Sequence, residues 1–433
     1  MRLEMPAFTV SDLEWGSETA LAGGRLSLNR SEVDALVRNP EAFASAQVDI
    51  VRPGEPVRLL NVIDAVMPLV KVAGDSCAYP GVAGPAVTAG SGVTHRLDGV
   101  SVVTCGVPPK PPTGAQSTKP AFVDMFGDAA PYCDASDTRN VVIVTSPVPG
   151  LSNEDYDSAV RDAAHRVARR LAETTLGLRR EPKMRRAPDA VETFELGPAN
   201  GLPRTVCVMQ LMDQGPLIRT LLYGHHLGED FVPTLIHPNE LLDGALVNAN
   251  HRSCLKQSTR MHARNPVVLE LYRRHGRDAA LAGVILTRGS NANHFLKERS
   301  AQYAANLAAM LGAEAAVVIM EDTGNSVTEY MFTIRALERR GIRAVGVAHE
   351  LAGTLGDNSP LLDSVEEATA LISSGNVDEL FQTGRPERLL GGDVFRYYSG
   401  TTADPHGALR VSAMECFCGL ARMAAAGFTA VEY

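Results

Sequence analysis

Between residues 282 and 372 the chain alternates short apolar runs with longer stretches closed by glycine, a pattern that few architectures accept. Residues 282–287 and 315–320 are continuous apolar runs, as strands buried on both faces are. Residues 298–311 and 327–340 are helix-length segments that stop at Gly312 and Gly341, where glycine frees the backbone to turn away. Runs at 342–348 and 368–372 complete the series. Strands alternating with helices at this spacing imply right-handed crossovers and a parallel sheet.

Two further buried strands are expected upstream, at 140–145 (NVVIVT) and 205–211. Between them Ser152 follows Pro149-Gly150 as an N-cap, with Glu154 and Asp155 in the first turn of a helix that runs to about residue 176. The first hundred or so residues read mostly as strands. Runs at 8–10 and 25–28 flank the hairpin-like Ala22-Gly23-Gly24, and 47–51, 57–62 and 100–104 follow. Residues 107–120 (VPPKPPTGAQSTKP) are Pro-rich, cannot continue a helix and are short of amide donors for a sheet, so they are expected as an exposed loop or linker. Residues 411–425 look like a packing helix. The expected fold class is therefore α/β, a β-rich N-terminal region followed by parallel-sheet α/β layers. The expected division is 1–106 as the β-rich domain, 107–120 as linker, 121–264 as an α/β domain ending in the candidate site loop, and 265–433 as a C-terminal α/β domain.

A length of 433 residues allows two or three domains, and 45% hydrophobic with 21% charged residues is ordinary globular composition. The net charge of −9 argues against nucleic acid or an anionic membrane as the main partner. No apolar run reaches the ~20 residues of a membrane span, and the N-terminus shows no basic-then-apolar signal peptide. Seven cysteines, an odd number, read as reduced thiols of a cytoplasmic protein. No Cys-x-x-Cys is present, which excludes zinc-ribbon and thioredoxin-type readings. Cys416 and Cys418 read as small core fillers, and the basic stretch 179–186 as a solvated loop.

The chemistry is expected after residue 247. A strand-like run ends at Asp243-Gly244, a short apolar run follows, and then comes the polar segment Asn248 to Cys254 with no helix or strand period. Cys254 is the candidate nucleophile, with Arg252, Lys256 and His251 as neighbours that favour a thiolate. His251 would polarise a substrate or act as base for Cys254; one His and one Cys do not make a metal site, so no metal is expected. His225 and His226 read as surface residues, and His237 as a ligand or a satisfied polar group. Glycine-containing turns at 321–325, at Glu350 with Gly353 and Gly356, and at 373–376 should meet at the carboxyl edge of the sheet, where ligands bind. Glu321 and Glu350 suit a cationic amine. Asn250, Lys256, Glu321, Asn325 and Glu350 are the expected substrate-binding residues, and the loop 250–256 should face a cleft lined by the turns at 321–325 and 350–353.

Residues 231–266 (FVPTLIHPNELLDGALVNANHRSCLKQSTRMHARNP), together with 1–4 (MRLE), 10–16, 57–72 (VRLLNVIDAVMPLVKV), 93–106 (VTHRLDGVSVVTCG), 297–300 (KERS), Gly324-Asn325 and 350–353 (ELAG), run collinearly with one family. The chain resembles the substrate-binding component B of the glycine/sarcosine/betaine reductases in the form of its alpha/beta proprotein, a family related to the D-proline reductase proprotein. The resemblance implies a proprotein that cuts itself at an Asn-Cys bond in this loop, the Cys becoming a pyruvoyl group. It also implies a thiol- or selenol-bearing partner subunit whose sulfur or selenium attacks the α-carbon of a small amine, breaking the C–N bond reductively. The product would pass on as a thio- or seleno-linked acyl group within a hetero-oligomer.

The loop departs from that pattern by one residue. In the register set from Cys254 to Pro266, His251 stands where the pyruvoyl-forming Cys would be. An imidazole cannot make the N-to-S acyl shift or eliminate its heteroatom. Two readings stay open: Ser253-Cys254 is the scissile bond of a shifted loop, or the chain is an unprocessed homologue. The latter would bind a ligand, scaffold the partner or use Cys254 in a divergent reaction. The cofactor is therefore unknown from sequence.

Overall fold

The computed structural model describes residues 1–110, 121–178, 192–214, 218–250, 256–321 and 323–420, with the side chain of Asn250 outside that set. Short strands open the chain: β1 (Arg2–Glu4), β2 (Ala7–Thr9), β3 (Asp12–Gly16), β4 (Ala20–Ala22) and β5 (Arg25–Asn29). The turn at Ala22-Gly23-Gly24 is a hairpin turn, with Gly23 and Gly24 both at positive φ, but β5 pairs there with β4 (Ala20–Ala22) and not with the run at 8–10, which as β2 pairs with β9. Helix α1 (Arg30–Val37) follows at once. It was not anticipated, although Asn29 caps it by accepting from the Glu32 amide.

Then come β6 (Phe43–Val51), β7 (Val57–Val66), β8 (Leu69–Ala73), β9 (Gly92–Asp98), β10 (Val100–Gly106), β11 (Ala121–Asp124) and β12 (Arg139–Pro147). The main N-terminal sheet runs β11-β7-β10-β12-β6, antiparallel except for β10 and β12. Helix α2 (Asn153–Glu173) covers it, capped by Ser152 as expected and burying Tyr156, Val160, Val167 and Leu171.

The second half contains a mostly parallel six-stranded sheet and a smaller antiparallel one. Its elements are β13 (Thr193–Glu195), β14 (Arg204–Met212), β15 (Ile218–Leu222), β16 (His225–His226), β17 (Thr234–Ile236), α3 (Pro238–Leu242), β18 (Leu246–Asn250), α4 (Thr259–Ala263), α5 (Pro266–Arg274), β19 (Ala280–Gly289), α6 (His294–Met310), β20 (Ala315–Met320), α7 (Asn325–Glu338), β21 (Arg343–Glu350) and β22 (Leu371–Asn376). The order is β17-β19-β14-β20-β21-β22, with every neighbouring pair from β19 to β22 parallel and β17 an antiparallel edge. The fold is thus α/β, β-rich at its N-terminus with a parallel sheet after it. Val206, Val208, Ile285 and Val318 on the sheet pack against Ala304, Ala308, Val327 and Ile334 of α6 and α7. The chain closes with β23 (Phe381–Gln382), β24 (Arg388–Leu390), β25 (Phe395–Arg396), β26 (Thr402–Ala403) and β27 (Arg410–Val411).

Two local expectations are corrected. The run before Asp243-Gly244 is strand only to Ile236. His237 then caps α3 through Nδ1, Glu240 completes the capping box and Pro238 occupies the first turn. Residues 411–420 are not helical: Val411 belongs to β27, and the amide of Phe417 donates to Phe122 while Glu415 accepts from the Phe122 amide. Those bonds to a distant strand replace the i−4 ladder, and residues 421–425 lie outside the described set. Pairing also runs across residues 106 and 264: β10 pairs with β12, β24 with β7, and β14 with β19 and β20.

Among the described residues no helix is long and apolar enough to cross a membrane.

Candidate functional site

Taken in chain order, the parallel strands β14, β19, β20, β21 and β22 lie as second, first, third, fourth and fifth, so the order reverses between β14 and β20. In open α/β sheets the crevice beyond the carboxyl ends at such a reversal is where ligands bind. Here it lies beyond Met212 and Met320. Glu321, the residue after β20, is buried there, its Oε2 accepting from the Met212 amide at 2.9 Å and its Oε1 from the Gln257 amide at 3.3 Å.

Glu321 therefore ties the end of β14 to the chain that leaves residues 251–255. The other side of that segment is tied too, since β18 pairs with β15 up to Asn250 opposite Ile218. Lys256 is fully buried, its Nζ donating to the Met212 carbonyl at 2.8 Å, to the Arg219 carbonyl at 2.9 Å and to the Thr220 hydroxyl. Three acceptors match the three hydrogens of the amine head, so Lys256 fastens the β14–β15 turn.

Helix α4 carries the next polar layer. Thr259 donates its amide (2.9 Å) and hydroxyl (2.5 Å) to Asp64 on β7, and its hydroxyl accepts from the Asn248 amide. Burial dominates at Asp64 and pushes its carboxyl up to about 7, despite the opposing bonds from Thr259 and Ala65. Arg260 reaches Asp134 and Asp137, and Ser258 also donates to Asp134. On this side a cleft of about 430 Å³ opens between Tyr132, Cys133, Arg260, Arg264 and Cys418. His262 is wholly buried, its Nε2 3.2 Å from Glu321 Oε1 without hydrogen-bond alignment. Desolvation, and then Lys256, lower it to about 3, so the imidazole is neutral at physiological pH.

Of the expected site residues, Cys254, His251 and Ser253 lie outside the described set, as does the side chain of Asn250. Lys256 and Glu321 come together at the reversal, joined through Met212. Asn325 opens α7 with an exposed side chain, after Gly324 at φ 67. Its carbonyl accepts from Lys297, which also pairs with Glu329. Glu350 is half-buried at the end of β21, its carbonyl accepting from Val377. His225 and His226 are exposed and His237 is a helix cap. Cys416 and Cys418 are buried.

Asp64, Gln257 and His262 carry no signal of their own in the sequence, and Asn248 stands out there only as the first residue of the polar segment. Asp64 stands 195 residues from Thr259, its partner, so no local spacing joins them. A usable signal was the run QST before a short helix, with Ser258 as its N-cap.

Fold and site together define an α/β protein whose polar centre sits at the strand-order reversal, the position small-ligand proteins of this architecture use. The chain belongs to the family of glycine/sarcosine/betaine reductase component B subunits, which matches residues 1–428. It is 33% identical over 401 residues to "Glycine reductase complex component B subunits alpha and beta" of Acetoanaerobium sticklandii, covering 90% of this chain and 89% of that one. From Peptoclostridium acidaminophilum, "Sarcosine reductase complex component B subunit alpha" is 34% identical over 385 residues (87% and 86%), and "Betaine reductase complex component B subunit alpha" is 35% identical over 403 residues (88% and 86%). No solved structure matches.

Proposed function

We propose that this chain is the substrate-binding component of a multi-subunit cytoplasmic reductase that cleaves a C–N or related C–heteroatom bond of a small amine or amino-acid-like molecule. The observation that carries this reading is the convergence at the strand-order reversal. Glu321 and Lys256 anchor the C-terminal end of the segment that the family uses for its chemistry, and the pairing of β18 with β15 holds its N-terminal end. Family membership supplies the reductase class. The reducing thiol or selenol belongs to a separate subunit, because this chain has no Cys-x-x-Cys and its described cysteines are all free. The test is turnover of glycine, sarcosine or betaine by the chain with and without its co-encoded partner subunit. Activity only in the complex is expected, and turnover by the isolated chain with a small-molecule thiol would count against the reading.

A pyruvoyl group, where the family carries one, supplies an electron-withdrawing ketone. The register position here is His251, whose Cβ bears a ring carbon and no leaving heteroatom, so that position does not fit the group. His251 favours a second reading, an uncleaved homologue that binds a ligand, scaffolds the partner or uses Cys254 as a surviving thiol. A displaced scissile bond at Ser253-Cys254 loses the aim that self-cleavage needs. An intact mass of the whole 433-residue polypeptide with Cys254 labelled by iodoacetamide is expected. A ketone-reactive hydrazide tagging a fragment that begins at Cys254 would overturn it.

A further inference from the structure

Polar atoms buried in a folded protein nearly always find a hydrogen-bond partner. At the strand-order reversal several side chains break that rule, three of them beside the segment 251–255. Both amide atoms of Asn248, Nε2 of Gln257 and both ring nitrogens of His262 have no hydrogen-bond partner, although the three residues are between 0% and 2% exposed. Gln210 Oε1 on β14 and Thr323 Oγ1 just past Glu321 are unpartnered too, while other neighbours are bonded. Lys256 has its three acceptors, the Thr259 hydroxyl donates to Asp64 and accepts from the backbone N–H of Asn248, and Glu321 accepts from two backbone amides.

The three belong to one place. Asn248 and Gln257 flank residues 251–255 in the chain, and His262 follows one helical turn after Ser258. Asn248 is the cross-strand partner of Thr220, so it shares a face with the hydroxyl that receives Lys256 Nζ. Gln257 and His262 both adjoin Glu321 Oε1. Their chemistry is uniform as well: two amides and one neutral imidazole, offering donors and acceptors without net charge, beside one acidic group. Structural polar groups would be paired and core positions would be apolar. A set left open at a ligand position is matched by something that arrives with its own donors and acceptors.

We infer that Asn248, Gln257 and His262 are ligand-contacting residues of this site. They hydrogen-bond the polar groups of a compact molecule bearing both donors and acceptors, an amino acid or its N-methyl derivative, beside Glu321. The inference rests on the function proposed above and adds the residues that select the ligand.

The test uses the full chain, unaltered and as Asn248→Leu and Gln257→Met, near-isosteric apolar replacements. Melting is followed alone and with glycine, sarcosine or betaine. Removing the unpartnered Asn248 side-chain amide should leave the ligand-free melting temperature equal or higher, whereas Gln257→Met also gives up the 3.3 Å bond that its Oε1 accepts from Asn265 Nδ2 and is read by the ligand response. The ligand-induced rise should vanish or need about tenfold more ligand, the size of one lost hydrogen bond. A residue with a purely structural role would give the opposite signature, a lower ligand-free melting temperature with the ligand response intact, and that result overturns the inference. Should Asn248→Leu fail to fold, a lost ligand response in Gln257→Met supports the inference and an intact one overturns it. If none of the three compounds moves the unaltered chain, the functional reading fails and the ligand assignment with it. The ligand-free comparison then still decides whether the Asn248 amide is uncommitted.

Discussion

Asp64 shows how a single buried carboxyl sets a pH dependence. Its folded pKa lies near 7 against an ordinary 3.8, because desolvation outweighs the three bonds it accepts. A raised folded pKa means that its contribution is fully present below about pH 4 and is lost as pH rises towards 7. His165, His262 and His349 work in the other sense: buried and lowered to about 4, 3 and 4, they withhold protons the unfolded chain would take below about 6.5. The two effects oppose each other in the intact protein, so the difference between Asp64→Asn and wild type isolates the carboxyl. We predict that denaturant-derived stability of the variant, relative to wild type, grows between pH 4 and 7 by on the order of a few kcal/mol and then levels off. A pH-independent difference would show that Asp64 titrates normally. At this scale the sequence was least informative. Glu321 was legible as an acidic residue after a strand, whereas Asn248 and His262 acquire meaning only through burial.

At the scale of elements, Arg58 on β7 is the chief fastening. It is fully buried, bonds Asp124 on β11 through two nitrogens, and reaches the carbonyls of Pro405, Gly407 and Gly384 and the Thr383 hydroxyl. One guanidinium thus joins the N-terminal sheet to a segment more than 300 residues later. Removing it strands the buried Asp124 carboxyl and opens several backbone acceptors. Arg58→Ala is expected to cost roughly 3–5 kcal/mol, with early proteolytic cuts between residues 384 and 407. Uniform protection of that segment in limited proteolysis would contradict this. The regular elements were legible for a local reason: β14, β19, β20, α6 and α7 announce themselves by apolar runs and by glycine stops at Gly312 and Gly341, both at positive φ. Residues 411–420 were misjudged because their backbone bonds go to Phe122, which no local pattern encodes.

At the scale of the whole molecule, the parallel sheet draws its strands from both sides of residues 251–255. β14 and β17 precede that segment; β19, β20, β21 and β22 follow it, and β14 lies between β19 and β20. Thr259 on Asp64, Arg260 on Asp134 and β24 on β7 repeat the crossing. The alternation in the sequence made the parallel layer legible but said nothing of this threading, because strand order in space is not written in strand spacing along the chain. The consequence concerns what a nick would look like. A peptide bond broken between Asn250 and Lys256 would leave two polypeptides woven through one another, inseparable without melting the centre of the sheet. Native electrophoresis or gel filtration should therefore show one particle of unchanged size whether or not the backbone is severed, and only denaturing conditions should reveal two pieces. Fragments that part under native conditions would contradict the interleaved order. Self-processing in this architecture would be a chemical event that the shape of the protein conceals.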